Sequence, residues 1–257
     1  MNSTTTTTQI AYPLIGVAIL FAIWGAYCWL FSVPEVVLPS PGQVAVAFFD
    51  SFGVLMREGW VTLVETVLGF ALAMAVGLPL AVAIANSRPL NLMFYPLLVA
   101  LQSVPKVALA PIVLVWLGTG LESKLAIVWL VAFFPIIIDT AAGLRSTPRE
   151  LIQLAHSLKA SPWQIFYKVQ FPAALPFVLT GAKVAITLAV IGAVIGEFMG
   201  SSSGLGYLLL SATSQLNTPL AFAALFALSF LGLGVYAVVE LVEIAIARWL
   251  PPRATGH

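Results

Sequence analysis

The chain has 257 residues, of which 61% are hydrophobic and 8% charged, and its net charge is +1. Soluble domains carry about 25% charged residues, so this chain cannot cover a water-exposed surface, and membrane lipid must be its solvent over much of its length. The near-neutral charge gives no indication of a nucleic-acid partner, and the single cysteine, Cys28, excludes an internal disulfide.

Apolar segments long enough to cross a bilayer recur along the chain. A helix needs roughly 20 apolar residues to span the hydrocarbon core. Residues 1–11 are polar and are expected to be a disordered cytoplasmic tail. Five segments then pass the length criterion: Tyr12–Phe31, Trp60–Ala85, Lys124–Ala142, Ala173–Phe198 and Pro219–Trp249. We expect an all-α transmembrane domain over residues 12–249, followed by a second cytoplasmic tail over residues 250–257.

Between the first two spans, a short helix is predicted at the outer surface. Ser40 can cap a helix whose first residue is Pro41, and Gln43 completes a capping box. The segment that follows is amphipathic, and we expect it to seal the outer rim of the bundle.

A further segment, Leu92–Leu117, is long enough to span but is interrupted by polar and proline residues. Broken backbone at membrane depth is tolerated where protein or a water-filled cavity surrounds it, so the prediction is six spans, the third of them broken. Lys106 lies at this break, and an ionisable residue inside a membrane suggests function. It could line a translocation path, pair with a neighbouring helix, or cap a broken helix end.

The Lys and Arg distribution predicts the orientation, because cytoplasmic segments of membrane proteins are enriched in these residues. With the N-terminus inside, seven basic residues fall in cytoplasmic segments and two at the outer side. The seven are Arg88, Arg145, Arg149, Lys159, Lys168, Arg248 and Arg253, and the two are Arg57 and Lys124. Both termini are therefore expected in the cytoplasm, together with the segment 145–172, which we call the basic loop.

The basic loop is predicted to form two short helices. Thr147 and Glu150 form a capping box with Pro148 at the first helical position, and an apolar stripe follows at helical spacing. The stripe comprises Leu151, Leu154, Ala155 and Leu158. A second capping box, Ser161–Gln164, begins a helix that we expect Pro172 to end. The hairpin could pack on its own bundle or on lipid headgroups, or it could dock a cytoplasmic protein.

The basic loop and the PAALP that overlaps its end resemble the signature loop of type I ABC-importer permeases. That family has a Glu-Ala-Ala triplet, then a Gly, and later an Ile-x-Leu-Pro ending. Here the triplet falls on Gln153, Leu154 and Ala155, and the Gly falls on Lys159. The ending falls on residues 169–172, and only Ala155 and Pro172 match strictly.

Four longer sequence segments, in the same order as in the family, extend the resemblance to roughly residues 34–250. They are LPSPGQV, VPKVALAPIVLVWLG, FFPIIIDT and GEFMGSSSGLGYLL. They resemble the nitrate/sulfonate/taurine branch, which also includes hydroxymethylpyrimidine and riboflavin permeases. The resemblance implies the type I permease fold with a cytoplasmic coupling-helix loop.

The resemblance also implies a function: the membrane subunit of an ATP-driven importer for a small polar organic solute or oxyanion, in a bacterial inner membrane. The implied partners are a second permease copy, expected to form a homodimer, a cytoplasmic ABC ATPase dimer and an extracytoplasmic solute-binding protein. The chain has no G-x-x-x-x-G-K-[ST] phosphate loop. ATP and Mg²⁺ are therefore expected on the partner ATPase, and this chain is expected to hold no catalytic residue, metal or cofactor.

Three sets of candidate site residues follow from the resemblance together with the charges and breaks within the predicted spans. The ATPase-coupling set is Arg149, Glu150, Gln153, Leu154, Ala155, Leu158, Lys159, Ala160 and Ser161. The translocation-path set is Gln102, Ser103, Pro105 and Lys106, because the third to fifth spans line the path in the family. The set for an outer gate or a binding-protein docking surface is Glu197, Gly204 and Gly206.

Several positions carry alternatives that the sequence leaves open. Lys159 replaces a glycine at the turn between the two short helices, and a left-handed non-glycine residue there would cost about 1 kcal/mol. The small-residue run Thr187–Gly196 could line the path or let helices approach closely. Glu65 is a possible helix–helix partner. Lys183 and Asp139 are expected to reach toward the interface or to pair with each other, and solute contact is the less favoured alternative.

Two other functions compete with the importer. An ion-coupled secondary transporter predicts coupling carboxylates near mid-membrane and an inverted repeat between the halves, and no convincing repeat is present. An intramembrane hydrolase needs a Ser–His pair or a cluster of metal ligands in the membrane. The two histidines, His156 and His257, lie in the basic loop and at the end of the sequence, outside the predicted spans. Their positions argue against an intramembrane hydrolase.

Overall fold

A computed structural model describes the backbone of residues 3–247 and the side chains of residues 11–246, and the described chain is helical without strands. Its helices are α1 (Ser3–Leu30), α2 (Pro41–Asp50), α3 (Phe52–Asn86), α4 (Arg88–Gln102), α5 (Ala110–Leu117), α6 (Leu121–Arg145), α7 (Arg149–Ser157), α8 (Pro162–Ile165), α9 (Phe171–Phe198), α10 (Leu205–Ser214) and α11 (Thr218–Ala247). A 3₁₀ turn, Lys106–Leu109, precedes α5, and a π-helical turn, Phe166–Gln170, joins α8 to α9. The expected tail 250–257 lies outside the described residues.

The first helix begins at Ser3, so most of the segment 1–11, which we expected to be disordered, is assigned to α1. Extending an existing helix by one residue fixes only that residue, whereas nucleating a helix fixes several. A helix already formed in the apolar segment can therefore continue into the polar threonines.

Five helical stretches are long and apolar enough to cross a membrane: α1, α3, α6, α11 and the run Pro162–Phe198. The helices on either side of Ser103–Pro105 form a pair bent by 91°, which is a sixth span if the pair is counted as one. The predicted all-α transmembrane fold class is confirmed, and the bend falls at the predicted break, whereas the count of six spans stays a prediction. The second span is longer than predicted, because α3 begins at Phe52 rather than at Trp60.

The centre of the bundle is formed by α3, α6 and α9, which pack closely through small residues. Val128 of α6 lies directly against Gly69 of α3, leaving no room for a Cβ there. On the other side, a Cβ at Gly192 of α9 would lie only 2.9 Å from the Val128 Cα. Ala189 and Ala193 of α9 are fully buried. Within the run Thr187–Gly196, these residues serve helix packing rather than lining a path.

The predicted surface helix is present as α2. Ser40 and Gln43 form the expected capping box, and Pro41 is the first helical residue. The helix is not merely adsorbed on the bundle, since its Phe48 ring packs edge-on against Phe230 of α11 at a centroid distance of 6.4 Å. Helix α2 is therefore held in place by contacts with the last long helix, and its position at the outer rim stays a prediction.

Helix α10 was not predicted. It follows the Gly- and Ser-rich segment 200–204 and packs against α11 and α9, with Leu205 buried at its first position. Its 10 residues are too few to cross a bilayer, and no Ser, Thr, Asp or Asn caps it. Gly204, at φ +104°, stands in the capping position instead.

Candidate functional site

The first helix of the basic loop, α7, begins at Arg149, one residue later than predicted. The predicted Thr147 capping box is wrong. Thr147 is buried, and its hydroxyl donates a hydrogen bond to the carbonyl of Leu144 at 3.1 Å. The end of α6 therefore uses this hydroxyl, and Pro148 occupies the capping position without a side-chain hydrogen bond.

The turn after α7 keeps the left-handed conformation that the family glycine would adopt. Lys159 has φ +57°. Its N–H donates to the carbonyl of His156, and the N–H of Ala160 donates to the carbonyl of Ala155, at 2.9 and 3.0 Å. These two hydrogen bonds are the pattern of a Schellman motif, which usually carries glycine at this position. Lys159 accepts the backbone strain and presents an exposed ammonium group at the turn.

The second capping box is confirmed: the Ser161 hydroxyl accepts from the Gln164 N–H, and the Gln164 side chain accepts from the Ser161 N–H. The prediction that Pro172 ends this helix is wrong. The chain passes through the π-turn into α9, whose first turn contains Pro172. Proline fits there because the first turn of a helix needs no backbone donor. The basic loop is therefore one helix, a turn, and the beginning of the long helix that crosses the core.

The basic loop exposes most of its apolar side chains. Ala155 is buried, but Leu158 and Trp163 are 74% and 70% exposed, and Leu154 is also exposed. A hairpin packed on its own bundle would have buried these groups. The candidate coupling residues divide accordingly: Ala155 faces inward and Ala160 is half-buried, whereas the exposed ones are Arg149, Glu150, Gln153, Leu154, Leu158, Lys159 and Ser161.

A cavity of about 380 Å³ lies beside the break between α4 and α5. It is lined by Gln102, Lys106, Val131, Phe134, Pro135, Ile138, Asp139, Val184 and Leu188. Two of the four candidate path residues, Gln102 and Lys106, therefore share a cavity with α6 and α9. Ser103 and Pro105 are exposed at the break and are not among the residues lining it.

Lys106 is held at the edge of this cavity by two contacts. Its Nζ donates a hydrogen bond to the carbonyl of Gln102 at 3.2 Å and lies 5.1 Å from the centre of the Phe134 ring. The hydrogen bond caps the carbonyl end of α4, which is one of the three roles that the sequence left open for Lys106. The second places the ammonium group over an aromatic face, a position that stabilises cations.

At the end of the bundle opposite the basic loop, the structure brings together Glu197, Gly204 and Gly206. The Glu197 side chain is buried; its Oε1 accepts from the Thr62 hydroxyl at 2.6 Å and its Oε2 from the Gly206 N–H at 2.5 Å. A Cβ at Gly204 would overlap the same carboxylate. Since Glu197 is only 1% exposed, its carboxylate does not form part of a docking surface.

Two residues of α3 that the sequence did not single out complete this polar cluster. Glu58 accepts from the Gly204 N–H at 2.7 Å, and the Thr62 hydroxyl accepts from the Leu205 N–H at 2.8 Å. Glu58 and Thr62 lie on one face of α3, four residues apart, but the backbone N–H groups whose hydrogen bonds they accept are more than 140 positions away. We call Glu58, Thr62, Glu197 and the segment 204–206 the buried latch.

Two ion pairs join charges of different long helices. Glu65 contacts Lys124 at 2.6 Å, which confirms Glu65 as a partner between α3 and α6. Lys183 pairs with Glu243, so the predicted pair of Lys183 with Asp139 is wrong. Among the residues that the structure describes, no group of three or more His, Cys, Asp or Glu side chains could hold a metal ion.

The chain is similar in sequence to known membrane transport proteins. The profile of a family described as "Binding-protein-dependent transport system inner membrane component" matches residues 73–253. A probable ABC transporter permease protein of Haemophilus influenzae is 37% identical over 90% of this chain and 95% of its own length. The riboflavin transport system permease protein RibX of Chloroflexus aurantiacus is 38% identical over 94% of this chain and 92% of its own.

A further relative and a solved structure are also similar to this chain. The formylaminopyrimidine transport permease protein ThiX of Halalkalibacterium halodurans is 36% identical, over 94% of this chain and 96% of its own. A solved structure of the MetNI methionine ABC transporter in an inward-facing conformation aligns with a TM-score of 0.59 and 24% identity. That alignment covers 74% of this chain and 98% of the other. At this identity the structural likeness concerns the fold alone.

Proposed function

This chain belongs to the family of binding-protein-dependent transport system inner membrane components, and on that premise we propose which steps of import its parts perform. The chain is a multi-pass permease subunit of an ABC importer. It moves a small polar organic solute or oxyanion into the cell by alternating access, and a separate cytoplasmic ATPase that binds ATP and Mg²⁺ supplies the energy. Both termini and the basic loop lie in the cytoplasm of a bacterium, and the buried latch lies at the outer side of the inner membrane.

The exposed apolar side chains of the basic loop are the observation that carries this proposal. Contiguous apolar surface outside a membrane marks an interaction site, and here it is bordered by basic side chains. Leu154, Leu158 and Trp163 supply apolar contact area, whereas Arg149 and Lys159 supply charge. This combination suits a protein surface with an apolar groove and acidic margins, and we assign it to the ATPase.

The solute path runs along the cavity beside the broken third span. Gln102 and Lys106 of the candidate path residues line this cavity, together with α6 and α9. Because α9 continues directly from α8, a movement of the basic loop moves one wall of the cavity. Two copies of the chain, arranged as a homodimer in lipid, would enclose the path between them.

The buried latch is proposed to hold the outer gate. It ties the segment 204–206 to α3 and α9, so that α10 moves with the core helices rather than independently. An extracytoplasmic solute-binding protein would deliver solute on this side. Its contacts would involve exposed residues around the latch, because the latch itself is buried.

Co-purification with the ATPase tests the coupling assignment. The chain is expressed with a candidate ABC ATPase from the same organism, and association and ATP hydrolysis are compared for the wild type and the charge-reversed variant Arg149→Glu, Lys159→Glu. A matched control, Glu35→Lys, Asp50→Lys, reverses two exposed charges at the other end of the molecule.

We expect the loop variant to fold but to lose the ATPase, and the control to retain it. If the loop variant binds the ATPase as well as the wild type does, the basic loop is not the coupling element. If no ATPase associates with the wild type, the importer proposal fails and the ion-coupled secondary transporter becomes the better hypothesis.

A further inference from the structure

The cavity beside the broken third span is lined by two opposite charges that do not neutralise each other. We propose that it binds a solute carrying both a cationic or donor-rich group and an anionic or acceptor-rich group, and that it discriminates against simple oxyanions. Lys106 faces the acceptor-rich end of this solute, and Asp139 faces the donor-rich end. The inference rests on the proposed import function and names the solute class of the same cavity.

Asp139 is the residue that determines the proposed class of solute. It lines the cavity from α6, and the backbone of α9 closes in on its other side: a Cβ at Gly181 would lie 2.9 Å from the Asp139 Cβ. The α9 side chains that share the cavity with it, Val184 and Leu188, are apolar. The ion pairs among the described residues provide no cation for Asp139, since Lys183, on the same stretch of α9, pairs with Glu243.

Lys106 is the complementary group. Its Nζ uses one of its three donors on the Gln102 carbonyl and lies over the Phe134 ring. Two donors therefore remain for other partners. Lys106 and Asp139 line one cavity, yet they do not form an ion pair with each other.

Unpaired charges facing a membrane cavity are costly unless a ligand or water compensates them. A simple oxyanion would satisfy Lys106 but would be repelled by Asp139, whereas an amine or a ring N–H can donate to Asp139 while another part of the same solute accepts from Lys106. The cavity volume of about 380 Å³ lies within the range of small-molecule sites, and the Phe134 ring supplies an apolar surface for a planar or short solute.

Direct binding to the permease–ATPase complex tests this inference without the binding protein, which would impose its own selectivity. The complex is placed in lipid nanodiscs, and binding is measured by equilibrium dialysis with five probes. Three probes combine a donor-rich or cationic group with an acceptor-rich or anionic group and are called amphoteric for short: the uncharged formylaminopyrimidine and riboflavin, and zwitterionic taurine. Two are simple anions: nitrate and ethanesulfonate. The variants are Asp139→Asn and Lys106→Gln, with Asp50→Asn as the matched exposed-carboxylate control.

We expect at least one amphoteric probe to bind the wild type more tightly than both anions. Asp139→Asn should weaken that probe and strengthen the anions, changing the ratio of affinities about tenfold, because a like charge at close range has been removed. Lys106→Gln should weaken both kinds of probe, and Asp50→Asn should change neither.

Equal or tighter binding of the anions to the wild type, or no binding of any probe, overturns the inference. So does an Asp139→Asn variant that keeps its fold and the wild-type ratio of affinities. The comparison of probes on the wild type stands even if a variant does not fold. Because the complex with the ATPase is already assembled, these outcomes leave the importer proposal intact, whereas failure to assemble the complex would overturn that proposal separately.

Discussion

The hydroxyl of Thr62 and the carboxylate of Glu197 lie 2.6 Å apart, and the same hydroxyl oxygen accepts the N–H of Leu205 at 2.8 Å. One side chain of α3 thus joins the end of α9 to the beginning of α10. All three groups are buried, so water cannot replace any of these hydrogen bonds. The stability of the outer end of the bundle depends on this hydroxyl.

Replacing Thr62 by valine preserves the shape of the side chain but removes the hydroxyl. We expect Thr62→Val to lower the free energy of unfolding by about 2–3 kcal/mol, since it leaves a buried carboxylate oxygen and a buried N–H without a partner. Denaturant unfolding in mixed micelles measures the change. Thr213→Val, at an exposed position of α10, is the control and should change stability by less than about 0.5 kcal/mol. If Thr62→Val and Thr213→Val lower the free energy of unfolding equally, the hydrogen bonds of the buried latch do not stabilise the fold more than an exposed hydroxyl does.

The ion pair between Glu65 and Lys124 should be strongly non-additive. Both side chains are buried and lie 2.6 Å apart, so removing one leaves an uncompensated charge at a cost of about 3–5 kcal/mol. The variants Glu65→Gln, Lys124→Gln and the double variant complete a double-mutant cycle. We expect the double variant to be less destabilised than the sum of the two single variants. Additive effects would mean that the two charges are independently solvated.

The strained turn at Lys159 predicts an unusual order of stability. Glycine adopts a positive φ without the steric cost that a Cβ incurs, which is about 1 kcal/mol. Lys159→Gly should therefore be more stable than Lys159→Ala by about that amount, although both variants lose the same charge. Unfolding measurements on the two variants separate backbone strain from charge. If the alanine variant equals the glycine variant, the turn does not hold the left-handed conformation.

Close packing of α9 on α6 predicts that a single methyl group will be harmful at Gly192. Its Cβ would meet the backbone of Val128, which cannot rotate away, and overpacking of this kind costs about 1–3 kcal/mol. Gly232→Ala in α11 is the matched control, since a Cβ there meets nothing within 4 Å. We expect a lower midpoint of thermal unfolding for Gly192→Ala and no loss for Gly232→Ala.

Features of the fold that depend on neighbouring residues could be predicted from the sequence. The capping boxes at Ser40 and Ser161 each join residues three positions apart, and both are present. The long apolar segments were found for the same reason, because length and composition are local properties. The Thr147 capping box failed because a residue of the preceding helix, Leu144, offered its carbonyl to the same hydroxyl.

The candidate site was less predictable because its contacts join distant parts of the chain. Nothing local to Glu58 or Thr62 indicates that they bind the backbone of 204–205, more than 140 positions away. The surroundings of Asp139 could not be predicted either, since an intramembrane carboxylate can pair with several possible lysines. Once the structure assigns Lys183 to Glu243, Asp139 is left facing the cavity.

The continuity of α8, the π-turn and α9 has a mechanical consequence. From Pro162 to Phe198 the chain runs as 37 helical residues without an intervening loop, a length of about 55 Å at 1.5 Å per residue. Such a rod would act as a lever: a displacement at Trp163 would be carried along the helix toward Glu197 at its far end, apart from the part taken up by bending between them. The π-turn at Phe166–Gln170 shifts the register of the hydrogen-bond ladder and is the natural place for the lever to bend.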